Sequence, residues 1–342
     1  MGIRQKEHNV GSRFDEMRIF AGNGNHALAQ LICDRVGVPL GDATIVKFSN
    51  ENIFIRLNES VREKDVFVVQ SLSTPHLSDR IMELLIMLDA CRRASAGRVT
   101  AVIPYFAYGR TDKKDQPRVP ITARLLADMI QAAGAQQVLT IDLHAGQIQG
   151  FFNIPVDELT AMHLLVRYWA EKGWDDIIVV SPDVGFAKRA RNFAEAIGAP
   201  LAIAEKRRVQ HFGRRDGLHT SPEILNLIGD VAGKRCIIVD DEIATGGSIL
   251  EVVRLLEREG AREIFACTVH AVFTSDAVER LKNSSLREVV VTDTLPLPAE
   301  KCWPALTVLS VSNVVAEVIQ RIHSGVSVDT IFSQRNHPAL GR

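Results

Sequence analysis

Short apolar runs rich in β-branched residues alternate along the chain with longer segments whose apolar residues recur at helical spacing. Such runs of about four to eight residues are typical of strands buried on both faces, and the longer segments are typical of amphipathic helices. The predicted strands are 65–70, 98–103, 137–142, 176–181, 234–239, 263–269 and 288–292, and the predicted helices lie near 79–95, 121–134, 159–172, 186–197, 248–259, 275–284 and 312–323. This alternation predicts an α/β protein with mostly parallel sheets.

The alternation of strand and helix patterns also indicates how the chain divides into domains. Its 342 residues fit two domains, at about 100–200 residues for each. The stretch 144–158 interrupts the alternation, so we place the boundary near residue 158. Two charged stretches, 107–120 and 206–222, are predicted to be mobile loops. The expected domains are an N-terminal one over 18–158 and a C-terminal one over 159–332.

Composition excludes several classes of protein. Forty basic residues against 41 acidic ones leave a net charge of −1, which argues against a generally basic nucleic-acid binder. No apolar run approaches the roughly 20 residues of a membrane span, so we expect no membrane association. The polar N-terminus has no apolar signal core, and secretion is not expected.

The cysteines favour a reducing compartment. They are scattered, form no CxxC pair and mostly lie in apolar patterns, which is typical of small buried thiols. They are Cys33, Cys91, Cys236, Cys267 and Cys302. A cytoplasmic protein without a disulfide framework is therefore expected.

Polar side chains follow several predicted strands at the point where each strand ends. Asp142 and His144 follow one strand, Asp183 follows another, and Asp240 and Asp241 follow a third. Ligands of parallel sheets bind at the carboxyl ends of the strands, and carboxylates suit hard cations. This pattern predicts a metal and sugar-phosphate site.

The sharpest motif is DDEIATGGS, which occupies residues 240–248 between an apolar strand and a helix. Gly246 and Gly247 permit a tight turn in which successive amides face one anion. Thr245 and Ser248 add hydroxyl donors, and the following helix adds the positive end of its dipole. The carboxylates of Asp240 and Asp241, which precede the turn, can accept hydrogen bonds from two vicinal hydroxyls. The loop is therefore suited to ribose 5-phosphate. The alternative interpretation is a strand–turn–helix with an Asp cap.

This loop resembles the diphosphoribosyl-binding motif of type I phosphoribosyltransferases, and the whole chain resembles the ribose-phosphate pyrophosphokinase family over about residues 18–332. The matching segments include RIFAGNGN (18–25), FSNEN (48–52), RVTAVIPYFAYGRTDKKD (98–115), LTIDLHAGQIQGFFNIPVDEL (139–159), SPD (181–183) and AEKRR (204–208). The resemblance implies two tandem type I phosphoribosyltransferase-like domains. It also implies magnesium-dependent transfer of the diphosphoryl group of ATP to the 1-hydroxyl of ribose 5-phosphate, which gives phosphoribosyl diphosphate and AMP.

The resemblance also implies roles for individual residues. His144 and Asp183 match magnesium-binding positions, and Lys206 and Arg208 match a catalytic flexible loop. The positions matched to ATP contacts are Phe48, Asn50, Glu51, Asn52, Arg110 and Thr111. Those matched to the ribose 5-phosphate site are Arg208, Asp240, Asp241, Ala244, Thr245, Gly246, Gly247 and Ser248.

The implied mechanism is in-line attack of the anomeric hydroxyl on the β-phosphorus while AMP leaves. Phosphoryl-type transfer depends on positioning and on charge stabilisation, so Lys206 and Arg208 are expected to close over the transition state. Taken alone, His144 is typical of a structural strand-end histidine and 206–208 of a solvated basic patch. Residues 22–27 also fit the dinucleotide fingerprint G-x-G-x-x-A, but no acidic strand end follows about 20 positions later.

Four positions depart from the family's commonest residues. Asn52 stands where Glu is usual and Thr111 where Gln is usual, both at the nucleotide site. Ala244 replaces an Asp of the ribose-phosphate loop, and Phe186 replaces a Gly beside the metal position, where its ring is expected to crowd the loop.

Two rival functions remain from the sequence: a catalytically silent regulatory paralogue, and a phosphoribosyltransferase that consumes the product. Retention of Lys206, Arg208, His144 and Asp183 argues against the first, and the doubled length argues against the second. The resemblance further implies dimers assembled into a hexamer, with the 48–52 loop reaching a neighbouring subunit's active site. Arg118 and the 112–118 loop are candidates for a subunit interface.

Overall fold

A computed structural model describes residues 14–207 and 224–328, which form two compact units. The first unit contains residues 14–159, 294–296 and 310–328, and the second contains residues 160–207, 224–293 and 297–309. The chain therefore passes from the first unit to the second after Leu159 and later returns. The expected C-terminal domain of 159–332 differs from this division, because residues 310–328 lie in the first unit.

The first unit is built on a parallel sheet. Its strands are β1 (Met17–Ala21), β2 (Ala43–Lys47), β3 (Ile53–Leu57), β4 (Asp65–Val69), β5 (Arg98–Ile103), β6 (Gln137–Ile141) and β7 (Val156–Leu159). Five of them form the sheet in the order β1-β4-β5-β6-β7, and every pair in it is parallel. Strands β2 and β3 pair with each other as a separate antiparallel hairpin.

The second unit contains a seven-stranded sheet. Its strands are β8 (Ile177–Ser181), β9 (Leu201–Arg207), β10 (Ile224–Ile228), β11 (Arg235–Ile243), β12 (Glu263–Ala271), β13 (Leu286–Thr292) and β14 (Leu306–Leu309). Their order is β10-β9-β8-β11-β12-β13-β14, and only the edge pair β9–β10 is antiparallel.

Eight helices occur in the described residues. In chain order they are α1 (His26–Val36), α2 (Leu77–Arg93), α3 (Thr122–Ala133), α4 (Met162–Ala170), α5 (Ala187–Ile197), α6 (Gly247–Arg258), α7 (Ala277–Lys282) and α8 (Ser312–Ser324). Helices α1–α3 and α8 belong to the first unit, and α4–α7 belong to the second. Within residues 14–207 and 224–328, no helix combines the length and apolar character needed to cross a bilayer.

Burial of the central strands confirms the α/β class with mostly parallel sheets. Every residue of β4 and of β8 is buried, as expected for strands covered on both faces. The stretch 144–158, which interrupts the predicted alternation, contains a 3₁₀ turn at Gly146–Phe151 and the start of β7. This stretch therefore contributes to the edge of the first sheet.

A buried carboxylate ties α8 to the amino ends of β4 and β5. Asp65 is fully buried, and its two oxygens accept from Arg98 Nε (2.8 Å) and Nη2 (2.6 Å). His323 Nδ1 lies 3.0 Å from Asp65 Oδ2, and Arg98 also donates to the Ile322 carbonyl (2.9 Å). A buried charge is tolerated only with such partners. The cluster therefore anchors the returning chain to the first unit.

Replacing Asp65 by Ala is expected to lower the free energy of unfolding by about 3–5 kcal/mol, because Arg98 loses the carboxylate that compensates its charge. Urea unfolding followed by circular dichroism measures the change. Asp89→Ala is the matched control: Asp89 pairs with Arg92 and Arg93 on a more exposed helix face, where about 1 kcal/mol or less is expected. Equal losses in both variants would contradict the anchoring role of Asp65.

Candidate functional site

Two neighbouring strands of the second sheet bring carboxylates to one edge. Val180 of β8 lies beside Ile238 of β11 in parallel register. Asp183 follows the end of β8, and Asp240 lies two residues beyond Ile238, so both carboxylates lie toward the carboxyl ends of their strands. This is the edge at which ligands of parallel sheets bind. The predicted grouping of Asp183 with Asp240 is thus present in the fold of the second unit.

The paired acids Asp240 and Asp241 lie within strand β11, not after it. Asp240 is opposite Thr268, and Glu242 is opposite His270 on β12. Asp240 Oδ1 accepts from the Asp241 amide (2.9 Å), and Asp241 Oδ1 accepts from the Glu242 amide (2.9 Å). These hydrogen bonds fix both carboxylates against the backbone of the strand that leads into the Gly-rich loop.

Burial and neighbouring acids perturb the pKa of Asp240. Burial raises its pKa well above the usual range of an aspartate, and the nearby charges of Asp241 and then Asp183 raise it further. Carboxylates that repel one another are stabilised in their ionised form by a cation or by hydroxyl donors. This cluster is therefore suited to a hard cation and a polyhydroxyl ligand.

The backbone of Phe186 holds Asp183 in place. Asp183 is exposed, and its Oδ1 accepts from the Phe186 amide (2.8 Å) at the start of α5. The Phe186 ring is only 8% exposed. The expected crowding of the loop by this ring stays a prediction, whereas the Phe186 amide fixes the Asp183 carboxylate.

The Gly-rich loop has the geometry of an anion site. Gly246 has a left-handed φ of 72° and is the N-cap of α6, so a side chain here would be strained. Thr245 and Ser248 are exposed, whereas Gly246 is buried. The exposed hydroxyls and the first turn of α6 thus surround the point where the chain reverses, with the positive end of the helix dipole directed at it.

His144 lies at the corresponding edge of the first sheet. It is exposed and follows β6, and the chain enters its loop through Asp142, whose φ is 40°. A Cβ added to Gly109 would lie 3.1 Å from the His144 Cβ, so Gly109 permits the close approach of the segment that carries Arg110. The structure thus places the Gly109 backbone, which precedes Arg110, against His144 in the first unit.

Two acids that sequence reasoning missed support the His144 loop. Glu158 accepts from the Leu143 amide (2.9 Å) and from the Gln149 side chain, and Asp112 accepts from the Gln147 side chain. Their sequence context is an edge strand and a charged loop, and neither pattern distinguishes a supporting acid from a solvated one.

The predicted nucleotide loop is the turn of the β2–β3 hairpin. Phe48 is 51% exposed, and its ring centroid lies 6.2 Å from that of Phe54. The Asn52 carbonyl accepts from the Phe48 amide, and Asn50 Oδ1 accepts from the Asn52 amide, so the Asn50 side chain helps to form the turn. Glu51 lies at the turn with a φ of 68°.

Thr111, the other predicted nucleotide contact beside Arg110, lies in the segment after β5. Its Oγ1 donates to the Tyr108 carbonyl (2.7 Å).

The predicted catalytic residues are only partly covered by the structure. Lys206 lies in β9, where its backbone is opposite Leu225 of β10. Arg208 and most of the predicted loop 206–222 lie outside the described residues.

The donor set fits magnesium only in combination with a substrate. Within residues 14–207 and 224–328, no group of three or more His, Cys, Asp or Glu is arranged to hold a metal ion. Magnesium is usually held by one or two carboxylates together with substrate phosphates and water. Asp183 and Asp240 are two carboxylates of this kind in the second unit.

Comparison with known proteins gives one consistent family. Residues 17–134 match the model of the N-terminal domain of ribose phosphate pyrophosphokinase, and residues 218–333 match that of the phosphoribosyl synthetase-associated domain. A ribose-phosphate pyrophosphokinase of Clostridium acetobutylicum is 48% identical, over 93% of this chain and 98% of that protein. Ribose-phosphate pyrophosphokinase 1 of Spinacia oleracea is 49% identical over 95% of each chain.

A solved structure agrees with these relatives. The crystal structure of phosphoribosylpyrophosphate synthetase from Mycobacterium smegmatis is 40% identical and superposes with a TM-score of 0.85. The match covers 91% of this chain and 100% of that one.

Proposed function

The chain belongs to the ribose-phosphate pyrophosphokinase family, and we propose that it transfers the diphosphoryl group of ATP to the 1-hydroxyl of ribose 5-phosphate. The products are phosphoribosyl diphosphate and AMP. The observation that carries the proposal is the acidic end of β11 leading directly into a Gly-rich helix start, because these two features match the two ends of a sugar phosphate.

The second unit binds ribose 5-phosphate in this proposal. The amides and hydroxyls of 244–248 hold the 5-phosphate at the start of α6, where the helix dipole favours an anion. Asp240 and Asp241 accept hydrogen bonds from the ribose hydroxyls. Ala244 suits this arrangement, because a small residue leaves the loop backbone accessible to the phosphate.

The first unit binds the nucleotide. Arg110 is exposed beside His144 and supplies positive charge for the polyphosphate. From the β2–β3 turn of a neighbouring subunit, Phe48 offers an exposed ring for adenine, together with Asn50, Glu51 and Asn52. Thr111, next to Arg110, completes the expected contacts. Asn52 and Thr111 replace an acid and an amide, so the nucleotide preference is a property to measure.

Magnesium, when bound, neutralises the polyphosphate and orients the group that is transferred. His144 and Asp183 are its proposed protein ligands, and the Phe186 amide keeps Asp183 oriented toward the sheet edge. Lys206 and Arg208 stabilise charge on the transferred group and on the leaving AMP oxygen.

A homo-oligomer is part of the proposal. We propose dimers assembled into a hexamer, with the β2–β3 turn contributing to a neighbouring site and Arg118 with 112–118 at an interface. Three exposed hydrophobic residues of the hairpin support this assembly: Val46 (39%), Phe48 (51%) and Phe54 (45%).

Four of the five cysteines are buried free thiols, which supports a reducing compartment such as the cytoplasm.

Phosphorus NMR of a mixture with ATP, magnesium and ribose 5-phosphate tests the activity. We expect AMP and phosphoribosyl diphosphate to appear together, and neither to form without ribose 5-phosphate. Absence of turnover would support a silent regulatory paralogue, and consumption of phosphoribosyl diphosphate with a free base would support a phosphoribosyltransferase. ADP with a ribose bisphosphate would indicate simple phosphoryl transfer and overturn the proposal.

A further inference from the structure

Three successive carbonyl groups of the Gly-rich loop are bonded to one segment behind it. The Ile243 and Ala244 carbonyls accept from the amides of Phe273 and Thr274, each at 3.0 Å. The Thr245 carbonyl accepts from the Arg280 side chain, Nη1, at 3.2 Å. The first two bonds are made by backbone that follows β12, whereas the third depends on a single side chain of α7.

These bonds determine where the loop amides point. In a trans peptide the C=O and N–H groups are antiparallel. The Ala244 carbonyl faces Thr274, so the Thr245 amide faces away from the segment 273–280. The Thr245 carbonyl faces Arg280, so the Gly246 amide also faces away from it. Two consecutive amides therefore point to the same side, which is the arrangement that binds an anion.

The Thr245–Gly246 peptide is the part of the loop most in need of support. Gly246 and Gly247 have wide conformational freedom, and Thr245 is exposed. A reversal of this one peptide would direct a carbonyl oxygen at the anion in place of an amide. Arg280 opposes the reversal with a donor that always carries charge, and such hydrogen bonds are stronger than neutral ones.

We propose that Arg280 is a positioning residue for ribose 5-phosphate, which holds the Thr245–Gly246 peptide so that the Gly246 amide faces the 5-phosphate. This inference rests on the proposed function of the same loop. Its positive charge also polarises the peptide whose amide meets the phosphate. Asp276 Oδ1 lies 4.0 Å from Arg280 Nη1 on the same helix end.

A purely structural role for Arg280 is the alternative. Its side chain is 38% exposed and joins α7 to the loop. In this alternative, the bond stabilises the fold and has no separate effect on ligand binding. Lys282 provides the matched control, because it lies on the same helix, carries the same charge and pairs with Glu279 at 3.0 Å. A structural role predicts a lower melting temperature without a selective effect on the sugar phosphate.

The test compares wild type, Arg280→Met, Arg280→Lys and Lys282→Met. Calorimetry measures the Kd of ribose 5-phosphate without turnover, and steady-state kinetics measure KM for each substrate. We expect Arg280→Met to raise the Kd and KM for ribose 5-phosphate about 10-fold, as for a lost hydrogen bond to a charged group, with KM for ATP and the melting temperature little changed. Arg280→Lys keeps a charged donor and is expected to recover most of the affinity.

Unchanged affinity for ribose 5-phosphate in Arg280→Met overturns the inference, as does an equal rise in KM for ATP or the same effect from Lys282→Met. Should Arg280→Met fail to fold, Arg280→Gln takes its place in the same comparison. The Kd difference decides the role of Arg280 even if the wild type shows no turnover, whereas missing turnover with normal binding contradicts only the proposed reaction.

Discussion

Lys206→Ala is expected to lower kcat about 10²–10³-fold, because a preorganised charge that acts in the transition state typically contributes that much. KM for ribose 5-phosphate is expected to change little, since we propose that the loop 244–248 and Asp240 hold the sugar phosphate. Steady-state assay of AMP formation measures both constants. The backbone of Lys206 is paired between β9 and β10, opposite Leu225.

Lys234→Ala is the control for Lys206→Ala. Lys234 donates to the Asp230 carbonyl (2.8 Å) at a surface turn before the amino end of β11, whereas the proposed ribose contacts lie toward the carboxyl end of that strand. Its replacement is expected to leave kcat unchanged. Full turnover by Lys206→Ala, with an unchanged pH profile, would show that this lysine does not act on the transferred group.

Asp240→Asn is expected to weaken ribose 5-phosphate binding and to stabilise the ligand-free protein. Loss of a charged acceptor for the ribose hydroxyls costs about 1.5–3 kcal/mol, or about 10- to 100-fold in KM. The amide removes the repulsion from Asp241 and Asp183 that accompanies ionisation of Asp240. Function and stability therefore make opposite demands on this residue.

The stabilisation expected from Asp240→Asn depends on pH, and the raised pKa of Asp240 gives its sign. The folded-state pKa of Asp240 lies above its unfolded-state value. The contribution of this group to stability is therefore complete below the unfolded-state pKa and is lost as pH rises through the folded-state pKa. In thermal melts from about pH 4 to about pH 8, the melting temperature of Asp240→Asn should rise relative to that of the wild type as pH increases, because the amide does not titrate.

Asp230→Asn serves as the control for this measurement, since Asp230 is an exposed acid in a surface turn with Lys234 as its partner. It should melt in parallel with the wild type at each pH. A gain for Asp240→Asn that shrinks toward neutral pH would contradict the raised pKa.

The central strands were predictable because their apolar runs are continuous. Strand β5 has the predicted bounds, and β4 and β6 each end one residue early. Strand β11 extends beyond the predicted end at 239, because Asp240 and Glu242 remain paired with β12 despite their charge. An apolar pattern cannot show that an acidic segment continues a strand, since that depends on a neighbouring strand.

The β2–β3 hairpin was not predicted. Its strands are half-exposed, with partly buried Ile45 and Ile53 on the side that meets α2 and exposed Val46 and Phe54 on the other. Such a short mixed pattern does not distinguish a hairpin from a loop. Its tip residues were found through the family resemblance and not through periodicity.

The sequence predicted the residues of the candidate site whose own side chains or loop are proposed to bind ligands. It did not predict the residues whose side chains hydrogen-bond to the main chain of the site. Asp183, Asp240 and the loop 244–248 follow from strand ends and a Gly-rich turn. Arg280 was missed because its bond is to a carbonyl 35 positions away, and no sequence signal marks such a partner. Glu158 was missed for the same reason, since it accepts from the amide of Leu143.

The return of α8 to the first unit has a consequence for biosynthesis. Its helix packs on α1, and its last turns supply the partners of Asp65 and Arg98. Residues near both ends of the chain must therefore be present before this unit is complete. During translation the described residues of the second unit are synthesised before α8 emerges. The first half of the chain therefore leaves the ribosome with Asp65 paired to Arg98 but without His323, and with an uncovered face on α1. Among the described residues, the last to be synthesised therefore belong to the unit whose synthesis begins first.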